Sequence, residues 1–119
     1  MRGADAATPR PGARTGAPGA RVVVDVEPEL AGLVDGYLAH RRAEAQALPG
    51  ALGAGDYAAI WRHGHHLKGS GAAYGFTFLS EVGAALEAAA QRCDADAVRR
   101  GAAALHDYLT RLDVRLPHP

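Results

Sequence analysis

Residues 63–76 read HGHHLKGSGAAYGF, and they lie in a segment whose apolar spacing is otherwise helical. The stretch contains three histidines, one lysine and four glycines. A glycine inside a helix costs roughly 1 kcal/mol relative to alanine, and alanine is abundant in the rest of the chain. The glycines therefore indicate that another group approaches this helix closely, at the expense of helix propensity.

Apolar residues recur at helical spacing on both sides of this stretch. Pro28 suits the first turn of a helix, because its missing N–H would be unpaired there anyway. We expect this first helix to end near Ala47, before Pro49 and Gly50 interrupt it. Its expected apolar stripe consists of Leu30, Leu33, Val34, Tyr37 and Leu38.

Three further helices are expected. The second follows the N-cap Asp56, carries the histidines and ends near Gly75. The third spans about residues 77–92, and the fourth runs from the cap Asp94 to just before Pro117. The apolar stripe of the third helix consists of Leu79, Val82, Leu86, Ala90 and Cys93. That of the fourth helix consists of Val98, Ala102, Leu105, Leu109 and Leu112. Four amphipathic helices with short connections predict an all-α fold, an antiparallel four-helix bundle.

The length and composition fit one domain. With 119 residues, 48% of them apolar, the chain has room for a single compact core. Residues 1–21 are broken by prolines and lack the apolar core of a signal peptide, so we interpret them as a disordered tail. The predicted bundle occupies residues 22–117. Within it, VVVDV at 22–26 is interpreted as an extended lead-in, because nothing downstream offers a partner strand of similar β-branched content.

The charges and the cysteine content argue against several classes of function. Lysine plus arginine equals aspartate plus glutamate, thirteen each, so no global field favours nucleic acid or a membrane surface. No apolar run approaches the roughly 20 residues needed to span a bilayer. The single cysteine, Cys93, cannot form an internal disulfide and is interpreted as a small core residue. We expect a monomer in a reducing cytoplasm.

The second helix has two faces when it is projected at about 100° per residue. The core face consists of Ile60, His63, Leu67, Gly71 and Tyr74, and the opposite face consists of Trp61, His65, Lys68, Gly69 and Ala72. On the opposite face, Lys68 and Gly69 are neighbours of His65 on the helix surface. Gly69 leaves the imidazole uncovered. Lys68 is the only lysine beside twelve arginines, and a compact ammonium suits a small, highly charged group better than a planar guanidinium does.

The motif H-x-L-K-G at residues 65–69, followed by SGAAYGF, resembles the signature of histidine-containing phosphotransfer (HPt) domains, the modules of bacterial and fungal phosphorelays. The resemblance covers roughly residues 25–115 and implies a four-helix bundle with a phosphorylated histidine exposed on the second bundle helix. It implies that His65 is the phosphoacceptor, that Lys68 assists the phosphoryl group and that Gly69 permits a partner to approach. Such domains often carry a glutamine or glutamate on the next helix, hydrogen-bonded to the acceptor imidazole, and Glu87 stands at the matching spacing.

These residue types suit transfer of a phosphoryl group. An imidazole nitrogen attacks phosphorus only with a free lone pair, so the other ring nitrogen must hold the proton. A carboxylate on that nitrogen, assigned to Glu87, fixes the tautomer and stabilises the developing positive charge. The chain has no G-x-x-x-x-G-K-[ST] nucleotide motif, so we expect a phosphoryl carrier without kinase activity or a cofactor of its own. A histidine kinase and receiver domains would be its partners, with Mg²⁺ on the receiver.

Trp61, one turn before His65, is equally consistent with a half-buried packing residue and with a docking contact for a partner. Gly69 and Ala72 lie on the same face and are assigned to partner binding with it. A pure docking module, which binds receivers without phosphotransfer, is a third class of function, and the intact His65 argues against it.

The histidine cluster supports a second hypothesis, a metal- or haem-binding helical bundle that uses His63, His66 and either His40 or His106. The i, i+3 spacing of the first two is weak evidence, and no carboxylate or cysteine lies close to them in the sequence. In the phosphotransfer hypothesis, His63 is a packed, hydrogen-bonded residue of the core face, and His66 projects away from the acceptor to the surface.

Overall fold

The computed structural model describes residues 20–116, which form four α-helices and a small parallel sheet. The elements are β1 (Val22–Asp25), α1 (Val34–Gly53), α2 (Tyr57–Ser70), α3 (Thr77–Gln91), α4 (Ala95–Arg111) and β2 (Leu112–Arg115). α2 packs against α3, α3 against α4, and α1 against both α4 and α2. The predicted fold of four bundled helices is confirmed. Within the described residues, no helix is long and apolar enough to cross a membrane.

The interpretation of residues 22–26 as a lead-in without a partner strand is wrong. β1 pairs in parallel with β2, in a register that places Val22 opposite Leu112. Val22 and Val24 are buried, so β1 contributes alternate side chains to the core. The partner strand reads LDVR, which has a single β-branched residue, and Leu112 continues the apolar spacing of α4. Because β2 begins at Leu112, α4 ends at Arg111, earlier than predicted.

The predicted disordered tail, residues 1–21, lies outside the described residues except for Ala20 and Arg21. The carbonyl of Ala20 accepts a hydrogen bond of 2.8 Å from Nη1 of Arg111. Nη1 of Arg21 lies 3.6 Å from Oδ2 of Asp113. Contacts with the end of α4 and with β2 thus begin two residues before the predicted boundary.

α1 is shifted relative to its prediction, because Pro49 lies inside it. A proline in a helix interior removes one hydrogen bond and costs roughly 3 kcal/mol. Leu48 is fully buried and Leu52 packs against the core, so tertiary packing outweighs that local cost. Pro28 begins a separate 3₁₀ turn, Pro28–Leu30, instead of α1 itself.

Two residues that the sequence places on core stripes lie at the surface. Leu33, which immediately precedes α1, is 56% exposed. Cys93 is also exposed and has a φ of +52°. It follows the end of α3, just before Asp94 caps α4 by accepting a hydrogen bond of 3.1 Å from the backbone N–H of Ala97. The chain reverses at this point, so the helical spacing of α3 no longer applies to Cys93.

α2 and α3 approach each other through glycines. A Cβ atom on Gly64 would lie 2.8 Å from the carbonyl oxygen of Gly83 and 2.8 Å from the amide nitrogen of Glu87. A Cβ atom on Gly83 would lie 2.6 Å from the carbonyl oxygen of Gly64. Neither position accepts a side chain without displacement of the backbone. This contact brings His65, the neighbour of Gly64, within reach of α3.

α2 ends at Ser70, a turn earlier than predicted, and a 3₁₀ turn follows at Ala72–Tyr74. A close contact lies at this end of the helix, since a Cβ atom on Gly71 would lie 2.6 Å from the amide nitrogen of Ser80. Gly75 then adopts a left-handed conformation with a φ of +91°, which a glycine does at low cost. The reversal buries Phe76 completely at the entry to α3.

Candidate functional site

The imidazole of His65 lies on the surface between α2 and α3. Its side chain is 56% exposed, and its Nδ1 atom lies 2.8 Å from Oε2 of Glu87 on α3. The Glu87 side chain is only 13% exposed, because the glycine contact holds the two helices close together. The structure thus brings together a solvent-accessible histidine and a largely covered carboxylate.

The ionisation of Glu87 determines which tautomer of His65 this contact favours. Hydrogen bonds from Lys68 and then from His65 hold the pKa of the Glu87 carboxyl below its ordinary value. An ionised carboxylate only accepts hydrogen bonds, so Nδ1 of His65 must donate. In the neutral ring the lone pair is then on Nε2, the nitrogen that does not contact Glu87.

Lys68 shares the same carboxylate. Its Nζ atom lies 2.8 Å from Oε1 of Glu87, and its side chain is 50% exposed. The sequence places both residues near the imidazole but does not indicate that they pair with each other. An ammonium and an imidazole N–H thus occupy one oxygen each of a single carboxylate.

Trp61 covers one face of the imidazole. The indole and imidazole rings are stacked, with centroids 4.7 Å apart and planes 9° apart. Trp61 is half-buried and packs against the hydrophobic core. The acceptor candidate is therefore held at its Nδ1 edge by Glu87 and at one face by Trp61.

Gly69 and Ala72 are exposed near the carboxyl end of α2. A Cβ atom on Gly69 would meet nothing within 4 Å. Unlike Gly64 and Gly71, Gly69 is therefore not required by a contact among the described residues. Any larger side chain at position 69 would cover part of the open surface beside His65.

A family model described as the Hpt domain matches residues 32–114. The chain belongs to the Hpt domain family. The resemblance seen in the sequence motif is thereby confirmed, and with it a place in histidine phosphotransfer within phosphorelays. Hpt domains are phosphoryl carriers that interact with kinases and receiver domains. Comparisons with curated proteins and with solved structures gave no significant match.

A second carboxylate lies on the α1 side of α2 in this Hpt domain. Oε2 of Glu44 lies 3.3 Å from Nδ1 of His66 and 3.5 Å from Nδ1 of His63. Nε of Arg41 lies 2.8 Å from Oε1 of the same carboxylate. The side chain of His63 is 25% exposed and that of His66 is 60% exposed, so the first is largely packed and the second is at the surface.

Glu44 and Arg41 are not among the residues predicted from the sequence. Together with Tyr37 and Leu48, they form one helical stripe of α1, and of these four residues only Tyr37 belongs to the stripe predicted from the sequence. The sequence does contain a signal for Arg41 and Glu44: both are charged residues on a stripe that faces the core, and half-buried charges require partners.

The metal- or haem-binding hypothesis gains no support from this arrangement. Among residues 20–116, no group of three or more His, Cys, Asp or Glu side chains is arranged to hold a metal ion. His40 and His106 are exposed on α1 and α4. Glu44 is engaged with Arg41, and a neighbouring guanidinium disfavours a bound cation.

Proposed function

We propose that His65 is the phosphoacceptor of this Hpt domain and that it carries the phosphoryl group on Nε2. The observation that supports this assignment is the contact between Nδ1 of His65 and the carboxylate of Glu87. It leaves Nε2 with the lone pair on a ring that is more than half exposed. Attack of that lone pair on phosphorus requires no prior proton transfer.

The proposed step conserves charge and atoms with an aspartyl phosphate on a receiver domain as the donor. The Nε2–P bond forms while the P–O bond to the aspartate breaks, and the electron pair of that bond leaves on the aspartate carboxylate. The proton stays on Nδ1, so the ring becomes a cation that Glu87 stabilises. The reverse step returns the phosphoryl group to a receiver.

Lys68 is proposed to contact the phosphoryl oxygens. Its flexible side chain already lies beside the imidazole, on the second oxygen of Glu87. The added phosphoryl group is more negatively charged than a carboxylate, so it attracts the ammonium strongly. Glu87 and Lys68 would thus stabilise the two charged ends of the phosphorylated residue.

The proposed docking surface for partners consists of the exposed part of Trp61 together with Gly69 and Ala72. The partners are a histidine kinase and receiver domains, and Mg²⁺ belongs to the receiver. This chain contributes no nucleotide motif and is proposed to act as a monomeric carrier in the cytoplasm, without catalytic turnover of its own.

The acceptor assignment is tested by labelling with a ³²P-phosphorylated receiver or kinase from the same genome, and with phosphoramidate as a small donor. We expect an acid-labile, base-stable modification that maps to His65. His65→Gln should abolish it, and His66→Gln, the matched control on the neighbouring residue, should retain it. Normal labelling of His65→Gln with loss in His66→Gln would overturn the assignment.

A further inference from the structure

Stacking on Trp61 restrains the imidazole of His65 against tilting out of its plane, a motion that the hydrogen bond to Glu87 does not prevent. The hydrogen bond to Oε2 of Glu87 holds the Nδ1 atom of the ring, but a single hydrogen bond tolerates some tilting of the ring about its side-chain torsions. The indole lies 4.7 Å away in a nearly parallel plane, so rotation out of that plane would drive the imidazole into the indole.

The indole itself is held in place. Trp61 packs against the hydrophobic core and is half-buried, and it stands one turn before His65 on the same helix, where side chains meet. A residue that only contacted partners would not need its flat face against the imidazole.

We propose that Trp61 is a positioning residue for phosphoryl transfer, a role that rests on the proposed function of His65 as acceptor. It sets the plane of the imidazole so that Nε2 faces outward, and its π-face stabilises the ring in its positively charged form. Attack on phosphorus converts a neutral ring into a cation, and an aromatic face attracts a cation more than a neutral ring. Trp61 thus favours the transition state over the resting state.

Trp61 also belongs to the proposed docking surface, so its positioning role must be measured separately from docking. The two roles separate with phosphoramidate, a donor too small to offer a protein surface. In that reaction the Nε2–P bond forms while the N–P bond of phosphoramidate, protonated on its nitrogen, breaks; the electron pair of the broken bond stays on the nitrogen, which leaves as ammonia. A docking residue has no influence on this rate, whereas a positioning residue does.

The experiment compares the rates of phosphoramidate labelling of wild type, Trp61→Leu and Trp61→Phe. Trp61→Leu keeps the apolar bulk and removes the π-face, and we expect it to be slower by about three- to fivefold. Trp61→Phe keeps an aromatic face and should recover most of the rate. The matched control is Tyr57→Leu, which removes a partly buried aromatic ring one turn earlier on α2 and should label at the wild-type rate.

A second readout uses the fact that Trp61 is the only tryptophan of the chain. Labelling by phosphoramidate should change the fluorescence emission of the wild type and leave that of His65→Gln unchanged. This measurement needs no substitution at Trp61, so it tests the contact even where Trp61→Leu loses helical structure by circular dichroism.

The outcomes are distinct. Labelling of Trp61→Leu at the wild-type rate, or an unchanged emission on stoichiometric labelling of His65, would overturn the positioning role and leave the phosphoacceptor intact. A wild type that is labelled at a residue other than His65 would overturn both. A slower Trp61→Leu with recovery in Trp61→Phe supports the role of the aromatic face.

Discussion

Nζ of Lys68 lies 2.8 Å from Oε1 of Glu87, whose other oxygen contacts the imidazole of His65. The lysine is therefore paired before any phosphoryl group arrives. A phosphoryl group on Nε2 offers Lys68 a stronger anion within reach of its flexible side chain. Movement of the ammonium from the carboxylate to the phosphoryl oxygens would leave Glu87 entirely to the imidazole, which has become a cation at the same moment.

The first prediction is that Lys68→Met raises the pKa of Glu87. The hydrogen bond from Lys68 is the largest cause that holds this pKa below its ordinary value, so its removal should move the pKa upward. Titration of the Glu87 side-chain carboxyl by ¹³C NMR measures the shift. Lys68→Arg keeps a cationic donor and should stay closer to wild type. A Glu87 titration that is identical in wild type and Lys68→Met would show that the pair does not form in solution.

The second prediction concerns the hydrogen bond and the charge of Glu87 separately. Glu87→Gln keeps an oxygen that accepts from Nδ1, whereas Glu87→Ala removes both acceptor and charge. A hydrogen bond that strengthens in the transition state contributes on the order of 1–3 kcal/mol, so Glu87→Ala should slow labelling by roughly ten- to a hundredfold. Glu87→Gln should fall between Glu87→Ala and wild type. The measurement is the initial labelling rate with phosphoramidate, and equal rates in all three proteins would exclude a role for the carboxylate.

The third prediction is a pH dependence of stability. A carboxyl group whose pKa is lower in the folded state than in the unfolded state stabilises the folded state. This contribution is complete at a pH above the pKa of the unfolded state, and it is lost as the pH falls through the lowered pKa of the folded state. The Glu87 pKa is lowered from an ordinary value of 4.5, so its contribution should disappear in acid below that value. Thermal unfolding across this range should show a smaller acid-induced loss for Glu87→Gln than for wild type. Glu81→Gln, at an exposed position of the same helix, is the control and should follow the wild type.

The fourth prediction is that Gly69→Leu leaves the fold intact but slows transfer between proteins. A side chain at Gly69 meets nothing within 4 Å, and leucine has the higher helix propensity, so the melting temperature should be maintained or raised. Transfer from a phosphorylated receiver should slow by roughly tenfold or more, since a leucine beside His65 keeps the partner away. Gly36→Leu is the matched control, because Gly36 is also helical and open. Unchanged transfer in Gly69→Leu would contradict the proposed docking surface.

The helices could be predicted because their signals are local. The position of Asp56 and Asp94 before apolar repeats predicts that they are helix caps, and each accepts a hydrogen bond from a backbone N–H three residues later. The pairing of β1 with β2 joins the two ends of the described chain, and no local pattern carries that information. The continuation of α1 through Pro49 likewise depends on the burial of Leu48, which propensity does not reveal.

The candidate site, like the fold, contains features that the sequence indicates and features that depend on contacts between helices. The H-x-L-K-G motif, through its resemblance to the family signature, indicates His65, Lys68 and Gly69, and the same resemblance implies Glu87 on the next helix. What the sequence could not supply is the sharing of one carboxylate by Lys68 and His65, because that depends on the closeness of α2 and α3. Gly64 explains this closeness only once Gly83 is known to face it.

The last prediction tests the unexpected strand β1. Val22 is 1% exposed and Val23 is 46% exposed, so alternate residues of one strand face the core and the solvent. Val22→Ala should lower the free energy of unfolding by about 2 kcal/mol, since it removes buried methyl groups and leaves a cavity. Val23→Ala is the matched control on the same strand and should change stability by less than about 0.5 kcal/mol. Urea unfolding followed by circular dichroism measures both, and labelling with phosphoramidate should stay at the wild-type rate in each, because β1 contributes no residue to the proposed site. Equal, small effects of the two substitutions would mean that residues 22–25 are an unpaired lead-in after all, and that the bundle folds without the sheet.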